Sequence, residues 1–267
     1  FGVYLVRLDG EAERCVSEAL KVGYRHIDTA HYYGNERGVG AAIKKSGIPR
    51  DQIFVTSKIW VTEYGSGMTT EALNKMLKRL DLEYIDLVLL HYPFNDYLGA
   101  YKELEEAHTK GLIKNIGISN FEDEKFDELY NAAKIKPVLN QIELHPYYQQ
   151  KEIRKKMEKV ECKTEGWAPL GQSASSLFNE EVIVNIAKKY NKTPAQVILR
   201  WHIQSGFITI PKSCKAERIK ENFEIFDFNL TDDEFKSINE LDGKKGRLQY
   251  NKYLLKFAFW IMPSLKD

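Results

Sequence analysis

The feature that most constrains the fold is a regular alternation of short apolar runs with longer amphipathic stretches. Val, Ile and Leu dominate the runs, and each run with the stretch after it occupies about thirty residues, as expected for a strand and its helix. Residues 2–4 could end a further strand. We predict an α/β fold with strands at residues 26–30, 53–59, 84–91, 115–120, 138–145, 162–168 and 207–212.

Two helices can also be predicted from their ends. Thr193 and Pro194 provide an N-cap and a first-turn proline for one of them. The other is expected to end at Gly23, because apolar residues recur before it at helical spacing, namely Ala12, Cys15, Val16, Ala19 and Leu20. Residues 84–91 are apolar almost throughout, which is typical of parallel strands covered on both faces. A closed (β/α)8 TIM barrel and an open doubly wound sheet both fit this pattern.

Length and composition limit the class of protein. A chain of 267 residues fits one α/β barrel, and no linker interrupts the rhythm, so residues 1–267 are predicted to form a single domain. The balance of 39 Lys and Arg against 38 Asp and Glu leaves no broad positive field for a nucleic acid. No stretch reaches the roughly 20 apolar residues that span a bilayer. We therefore expect neither a nucleic-acid partner nor a membrane partner.

The cysteines and the start of the chain indicate a compartment. Cys15, Cys162 and Cys214 are far apart and show no paired spacing, so free thiols in a reducing environment are expected. The chain starts at Phe1, without an initiator Met or a signal-like pattern. These features predict a cytoplasmic protein from which a short N-terminal piece is missing.

Polar residues interrupt the apolar strands near their C-terminal ends. In a β/α barrel these ends face one mouth, where active sites are built. Taken singly, each residue has a structural explanation: Asp28 as a loop cap, Lys58 as a strand end that reaches solvent, and His91 as a hydrogen-bonded core histidine. Their recurrence on several strands favours a site instead. The residues are Asp28, Lys58, His91, Ser119, Asn120, Gln141 and Lys212.

A tyrosine near a buried lysine has a chemical use. A phenol ionises only near about pH 10, so it transfers protons poorly at neutral pH unless an ammonium group lowers its pKa. The lysine in turn needs a carboxylate to remain charged, and Asp28 lies five residues before Tyr33. His91 could then position a carbonyl oxygen beside the Tyr33 hydroxyl.

These residues lie within segments that resemble the aldo-keto reductase family. Residues 23–36, GYRHIDTAHYYGNE, are similar to a signature of this family, and so are residues 210–213, IPKS, with Arg218, Glu221 and Asn222 after them. The similarity covers nearly the whole chain. Other matching segments are 57–60 (SKIW), 90–93 (LHYP), 117–120 (GISN), 140–141 (NQ), 145–147 (HPY) and 167–170 (WAPL).

The resemblance implies a fold and a reaction. The fold would be a (β/α)8 barrel whose N-terminal hairpin is missing from this chain, and the family default would make it a monomer. The reaction would be hydride transfer from NADPH to an aldehyde or ketone, with Tyr33 as the general acid. The implied catalytic tetrad is Asp28, Tyr33, Lys58 and His91.

The resemblance also implies the residues that bind cofactor. Ser119, Asn120 and Gln141 would hold the nicotinamide carboxamide, and Trp167 would stack on the ring. The 2′-phosphate that distinguishes NADPH from NADH favours point charges and guanidinium groups, which Lys212, Ser213 and Arg218 could provide beside a helix start. A solvated basic helix face is the alternative for these charges. Glu221 and Asn222 complete the cofactor set.

Aromatic residues are expected to line the substrate pocket. Tyr4, Trp60 and Tyr92 stand at aromatic pocket positions of the family, which often has Trp where Tyr4 and Tyr92 occur. His31 and Tyr32, at variable positions, are further candidates for the lining. The apolar residues 257–262 would either join this pocket or cover the barrel elsewhere.

Other functional classes fit less well. Gly38-Val-Gly40 lacks the third glycine of a dinucleotide fingerprint, because Ile43 occupies that position. The six histidines show no paired ligand spacing, so no metal site is expected. Some proteins with this fold bind nicotinamide cofactor as regulatory or structural subunits with little turnover. That function remains the alternative to a reductase.

Overall fold

The computed structural model describes residues 1–173 and 175–244 of the chain. These residues fall into two units, which are divided in the sequence between Asn140 and Gln141. The apolar stretch at residues 257–262, a candidate for the substrate pocket, lies outside the described residues. Across the described part, no helix has both the length and the apolar character needed to cross a bilayer.

In unit 1, parallel strands and helices alternate along the chain. Strand β1 pairs with β2, β2 with β3, and β3 with β4, each in parallel. The strands are β1 (His26–Asp28), β2 (Phe54–Ile59), β3 (Ile85–Leu90) and β4 (Ile113–Ser119). The helices are α1 (Asp9–Val22), α2 (Glu36–Ser46), α3 (Met68–Leu80), α4 (Tyr97–Thr109) and α5 (Asp123–Ala132).

Unit 2 continues the alternation. Strand β5 (Leu139–Glu143) begins just before the division, and β6 pairs with β7 in parallel. Its further strands are β6 (Lys163–Trp167) and β7 (Ile208–Thr209). The helices are α6 (Lys151–Lys159), α7 (Ser175–Phe178), α8 (Glu181–Tyr190), α9 (Pro194–Gln204), α10 (Ala216–Phe223) and α11 (Asp232–Asn239).

The predicted strands and helix ends are confirmed within the described residues. All seven predicted strands are present, with bounds that differ by a few residues. The possible eighth strand is a single parallel bridge from Gly2 to Asp28. Helix α1 ends at Gly23, whose N–H bonds to two carbonyls of the last turn, and α9 begins with a Thr193 N-cap. Within the described residues, Cys15, Cys162 and Cys214 form no disulfide.

The glycines of the Gly38-Val-Gly40 motif are required for helix packing. A Cβ on Gly38 would lie 2.1 Å from the carbonyl oxygen of Asp9, and one on Gly40 would lie 2.1 Å from that of Leu80. No side chain fits at such distances, since close-packed atoms cannot overlap. The two glycines therefore allow α2 to contact the start of α1 and the end of α3. This packing accounts for the motif without a nucleotide.

His202 gives unit 2 a stability that depends on pH. The side chain is fully buried in α9, its Nε2 lies 3.3 Å from the carbonyl oxygen of Pro169, and burial lowers its pKa to about 3. In the unfolded chain this histidine takes up a proton below about pH 6.5, whereas in the folded chain it stays neutral until about pH 3. The contribution of His202 to the unfolding free energy is therefore fully present above about pH 6.5, and it is lost progressively as the pH falls from 6.5 towards 3.

We expect His202 to contribute a slope of roughly 1.4 kcal/mol per pH unit to the unfolding free energy below about pH 6.5. Urea unfolding at several pH values between 4 and 7 measures this slope. In His202→Asn the slope should be shallower, whatever the absolute stability of the variant. The control His108→Asn should keep the slope of the unmodified protein. Parallel curves for the unmodified protein and His202→Asn would contradict the assignment.

Candidate active site

The four residues of the expected tetrad meet at the C-terminal ends of three strands of unit 1. Asp28 is the last residue of β1, Lys58 lies one residue before the end of β2, and His91 directly follows β3. Tyr33 ends a short 3-10 helix, His31–Tyr33, that follows β1. Because parallel strands present their C-terminal ends at the same edge, these side chains converge, as predicted from their positions in the sequence.

Lys58 lies at the centre of this group. Its ammonium group is fully buried and donates to Asp28 Oδ1 at 2.6 Å, to the carbonyl oxygen of Thr29 at 2.9 Å and to the hydroxyl oxygen of Tyr33 at 3.3 Å. These three acceptors match the three N–H bonds of an ammonium group. Asp28 is itself buried, so the ion pair compensates two charges that would otherwise be costly in the interior.

The segment that carries Tyr33 is held by local backbone geometry and by an asparagine. Gly34 has φ 66°, a left-handed conformation that favours glycine and that ends the 3-10 helix. The side chain of Asn35 donates to the carbonyl oxygens of Val3 at 3.0 Å and Val6 at 2.7 Å, and it accepts from Thr29 Oγ1 at 2.8 Å. These bonds fix the loop at both ends, so Tyr33 has a defined position beside Lys58.

His91 is neutral at physiological pH. Burial lowers its pKa well below the usual value, and the positive charge of Lys58 lowers it further. Its Nδ1 is buried and has no hydrogen-bond partner within the described residues. The rings of His91 and Tyr33 are close to perpendicular, with centroids 5.9 Å apart. A neutral imidazole in this place can donate one hydrogen bond without adding a charge.

Aromatic rings surround His91 and Tyr33, including those expected in the substrate pocket. Trp60 stacks on Tyr32 with a centroid distance of 4.1 Å and contacts His91 edge-on at 5.0 Å. Tyr92 stacks on the His91 ring at 5.3 Å, and Tyr4 lies 5.1 Å from Tyr33. The three predicted pocket residues are therefore adjacent to the tetrad. Tyr32, at a variable position, belongs to the same group of rings. We call Tyr4, Tyr32, Trp60 and Tyr92 together the aromatic wall.

The residues expected near the nicotinamide lie on, or directly after, three strands. In unit 1, Ser119 ends β4, and Asn120 donates to the backbone oxygen of His91 and to Ser119 Oγ, both at 3.0 Å. In unit 2, Gln141 is buried on β5 and donates to Glu165 Oε1 at 2.5 Å. Trp167 is the last residue of β6.

The residues expected near the phosphate precede or lie on α10 in unit 2. Lys212 and Arg218 are exposed and have no ion pair within the described part of the chain. Between them, Ser213 Oγ accepts from the backbone N–H of Lys215 at 3.1 Å, which shapes the turn into the helix. Two uncompensated cations beside the first turn of a helix suit a phosphate group.

The other two members of this set have partners within the protein. The carboxylate of Glu221 accepts from Thr193 Oγ1 at 2.8 Å, and Asn222 is buried on the same helix. Since Thr193 is the N-cap of α9, Glu221 also joins α10 to α9.

Two residues at the site, Glu63 and Tyr64, have no recognisable signal in the sequence. The carboxylate of Glu63 contacts His31 and the backbone N–H of Trp60, and the hydroxyl of Tyr64 contacts the backbone of Tyr92. Both lie in the loop after β2, and its sequence at residues 60–64, WVTEY, contains no motif that marks either residue. Only their contacts with other loops distinguish them.

Comparison with known proteins gives consistent matches. Residues 8–243 match the aldo/keto reductase family. The chain is 42% identical to 9,11-endoperoxide prostaglandin H2 reductase of Trypanosoma cruzi, over 91% of this chain and 87% of that protein. It is 46% identical to glyoxal reductase of Bacillus subtilis, over 90% and 87% respectively.

Solved structures agree with these matches. An aldo-keto reductase of Bombyx mori in complex with NADP is 32% identical, with a TM-score of 0.87, over 92% of this chain and 89% of that one. The fold-class prediction is confirmed: the chain has an α/β fold of parallel strands and alternating helices, consistent with the barrel of these proteins.

Proposed function

The chain belongs to the aldo/keto reductase family and is an NADPH-dependent oxidoreductase that reduces aldehydes or ketones. We propose that Tyr33 donates the proton in this reaction. The family resemblance predicted from the sequence motifs is thereby confirmed. The proposal concerns the roles of individual residues and the substrates.

One observation supports this role of Tyr33 above all: its hydroxyl oxygen accepts a hydrogen bond from the buried Lys58, which is paired with Asp28. Because Lys58 donates to this oxygen, the phenolic proton is directed to another acceptor, such as a carbonyl oxygen. After transfer, the ammonium group stabilises the phenolate that remains. Asp28 holds Lys58 in place through their ion pair, and it acts through Lys58 without touching the substrate.

His91 and the aromatic wall would orient the carbonyl group. A neutral His91 can donate to the same carbonyl oxygen that receives the proton from Tyr33, and it adds no charge that would compete with Lys58. Bound NADPH supplies a hydride to the carbonyl carbon, so the products are an alcohol and NADP+. The rings of Tyr4, Trp60 and Tyr92 would line the space around this carbonyl group.

The proposed cofactor-binding residues form groups, each for a different part of NADPH. We propose that Ser119, Asn120 and Gln141 bind the carboxamide and that Trp167 contacts the nicotinamide ring. Lys212, Ser213 and Arg218 would bind the 2′-phosphate, because the charges of Lys212 and Arg218 are not compensated by other described residues. Glu221 and Asn222 would support the adjacent adenosine part.

The Arg218→Ala variant should bind NADPH less tightly by roughly tenfold or more, because it removes a charge-assisted contact with the phosphate. Affinity for NADH, which lacks this phosphate, should change less than about twofold. Cofactor titration by tryptophan fluorescence measures both affinities. Lys220→Ala, on the same helix and paired with Glu224, is the control and should leave both unchanged. An equal loss of affinity for NADH and NADPH would move the phosphate site elsewhere.

Small dicarbonyl compounds are the proposed substrates, because a relative at 46% identity is a glyoxal reductase and relatives at 43% and 44% identity are methylglyoxal reductases. Oxidation of NADPH by the purified protein with glyoxal and methylglyoxal tests this proposal. We expect saturable turnover with both compounds. Turnover with larger carbonyls alone would contradict the substrate class but not the reaction.

A further inference from the structure

The loop that follows β2, residues 60–64, contacts both neighbouring catalytic segments. It begins two residues after Lys58 and forms a short 3-10 helix, Val61–Glu63. Its neighbours are the 3-10 helix that carries Tyr33, after β1, and the segment that carries His91, after β3. Tyr33 and His91 are thus on separate loops, so their separation is not fixed by a short stretch of backbone and depends on contacts between loops.

Glu63 joins this loop to the segment that carries Tyr33. One carboxylate oxygen lies 2.7 Å from His31 Nδ1, and the other accepts from the backbone N–H of Trp60 at 3.0 Å. His31 is buried and Glu63 is nearly so. His31 begins the 3-10 helix that ends at Tyr33, so a bond to its ring limits rotation of that helix.

Tyr64 joins the same loop to the segment that carries His91. Its hydroxyl donates to the backbone oxygen of Tyr92 at 3.1 Å and accepts from the backbone N–H of Tyr92 at 3.3 Å. Tyr64 is buried, and burial raises the pKa of its hydroxyl well above the usual range, so it keeps its proton at physiological pH. Nearby, the side chain of Asn95 donates to the backbone oxygen of Val61 at 2.8 Å.

Resting on the proposed role of Tyr33, we propose that Glu63 and Tyr64 are positioning residues for carbonyl reduction. Glu63 fixes the segment of the proton donor, Tyr33, and Tyr64 fixes the segment of His91. Neither side chain is assigned a contact with the substrate or the cofactor.

The chemistry of proton transfer explains why such links are needed. Transfer to a carbonyl requires hydrogen-bond distance and alignment, and a displacement of about 1 Å can reduce the rate by roughly 100-fold. The Lys58 to Tyr33 distance of 3.3 Å is already the longest of the three Lys58 contacts. Movement of the Tyr33 segment would therefore readily break this hydrogen bond, and movement of the His91 segment would misplace the imidazole. The two links oppose these movements.

The Tyr64→Phe variant tests one link with little change in shape. We expect kcat to fall by about tenfold or more while the affinity for NADPH stays within twofold, because only the reacting geometry changes. The control is Tyr101→Phe on α4, which removes the hydroxyl of another buried tyrosine. That hydroxyl donates to the backbone oxygen of Ile135 at 2.9 Å. Both variants should lose similar stability in urea, and only Tyr64→Phe should lose kcat. Equal kcat in the two variants would overturn the role of Tyr64.

Glu63 is tested by graded substitution. Glu63→Gln retains the shape and one acceptor, whereas Glu63→Ala removes both bonds, so kcat should decrease in the order Glu63, Gln, Ala. If Glu63 acts through Tyr33, Glu63→Ala should lower the rate much less in a Tyr33→Phe background than in the unmodified protein. Full additivity of the two losses would overturn the role of Glu63.

These tests also separate the inference from the proposed function. If Tyr33→Phe alone keeps full activity, the assignment of the proton donor fails. If Tyr33→Phe is inactive but Glu63→Ala and Tyr64→Phe keep full kcat, only the positioning inference fails.

Discussion

The Tyr33→Phe variant is expected to lose carbonyl reduction by a factor of about 10² to 10⁴, the usual contribution of a positioned general acid. The substitution removes the proton that must reach the carbonyl oxygen and leaves the ring in place between Tyr4 and His91. Steady-state oxidation of NADPH with methylglyoxal measures the loss, which should appear in kcat.

The affinity for NADPH is the internal control for this variant. It should remain within about threefold, because the hydroxyl of Tyr33 contacts Lys58 and is needed only at the carbonyl. Tyr101→Phe, which also removes one tyrosine hydroxyl, should be fully active. A parallel loss of kcat and NADPH binding in Tyr33→Phe would mean that the hydroxyl holds the cofactor, which contradicts its role as proton donor.

The Lys58→Met variant is expected to lose both activity and stability. It leaves Asp28 as a buried carboxylate without its ammonium partner, and breaking a buried ion pair in this way costs about 3–5 kcal/mol of unfolding free energy. Urea unfolding measures the stability, and NADPH oxidation measures the activity. Both should fall, because the ammonium group also donates to Tyr33.

A double variant separates the two effects of Lys58. Asp28→Asn combined with Lys58→Met removes both buried charges, so stability should recover in part while activity stays lost. Lys44→Met is the matched control, because Lys44 also lies 2.6 Å from a carboxylate, that of Asp81, but both groups are exposed. Its stability should hardly change. Equal destabilisation by Lys58→Met and Lys44→Met would show that burial does not determine how much unfolding free energy is lost when the ion pair is broken.

Much of the fold could be predicted because its signals are local. Alternating apolar runs gave the seven strands, and the Gly23 and Thr193 caps gave two helix ends. The least accurate strand is β7, which was predicted at residues 207–212 but comprises only Ile208–Thr209. Pro211 has no N–H for a further ladder bond, so pairing is not extended past this point. The side chains at strand ends were likewise predictable, since parallel strands share one edge.

The links between loops could not be predicted. Glu63 and Tyr64 act on residues about thirty positions away, and neither spacing nor composition indicates which loops will meet. His31 shows the same limit: it was only a candidate for the pocket lining, and its buried contact with Glu63 depends on how two loops fold. Local patterns specify elements, whereas such contacts arise only after the elements are packed.

The most direct test of the account is a single-turnover experiment with the complex of the protein and NADPH. The preformed complex is mixed with excess methylglyoxal, and the near-ultraviolet absorbance of the one bound NADPH is followed, so that product release does not limit the signal. We predict that the bound NADPH is oxidised in the unmodified protein and that its oxidation is slower by about 10² to 10⁴ in Tyr33→Phe. NADPH that binds tightly but stays reduced in the unmodified protein, with methylglyoxal, glyoxal and other carbonyls alike, would contradict catalysis and favour a cofactor-binding regulatory or structural protein.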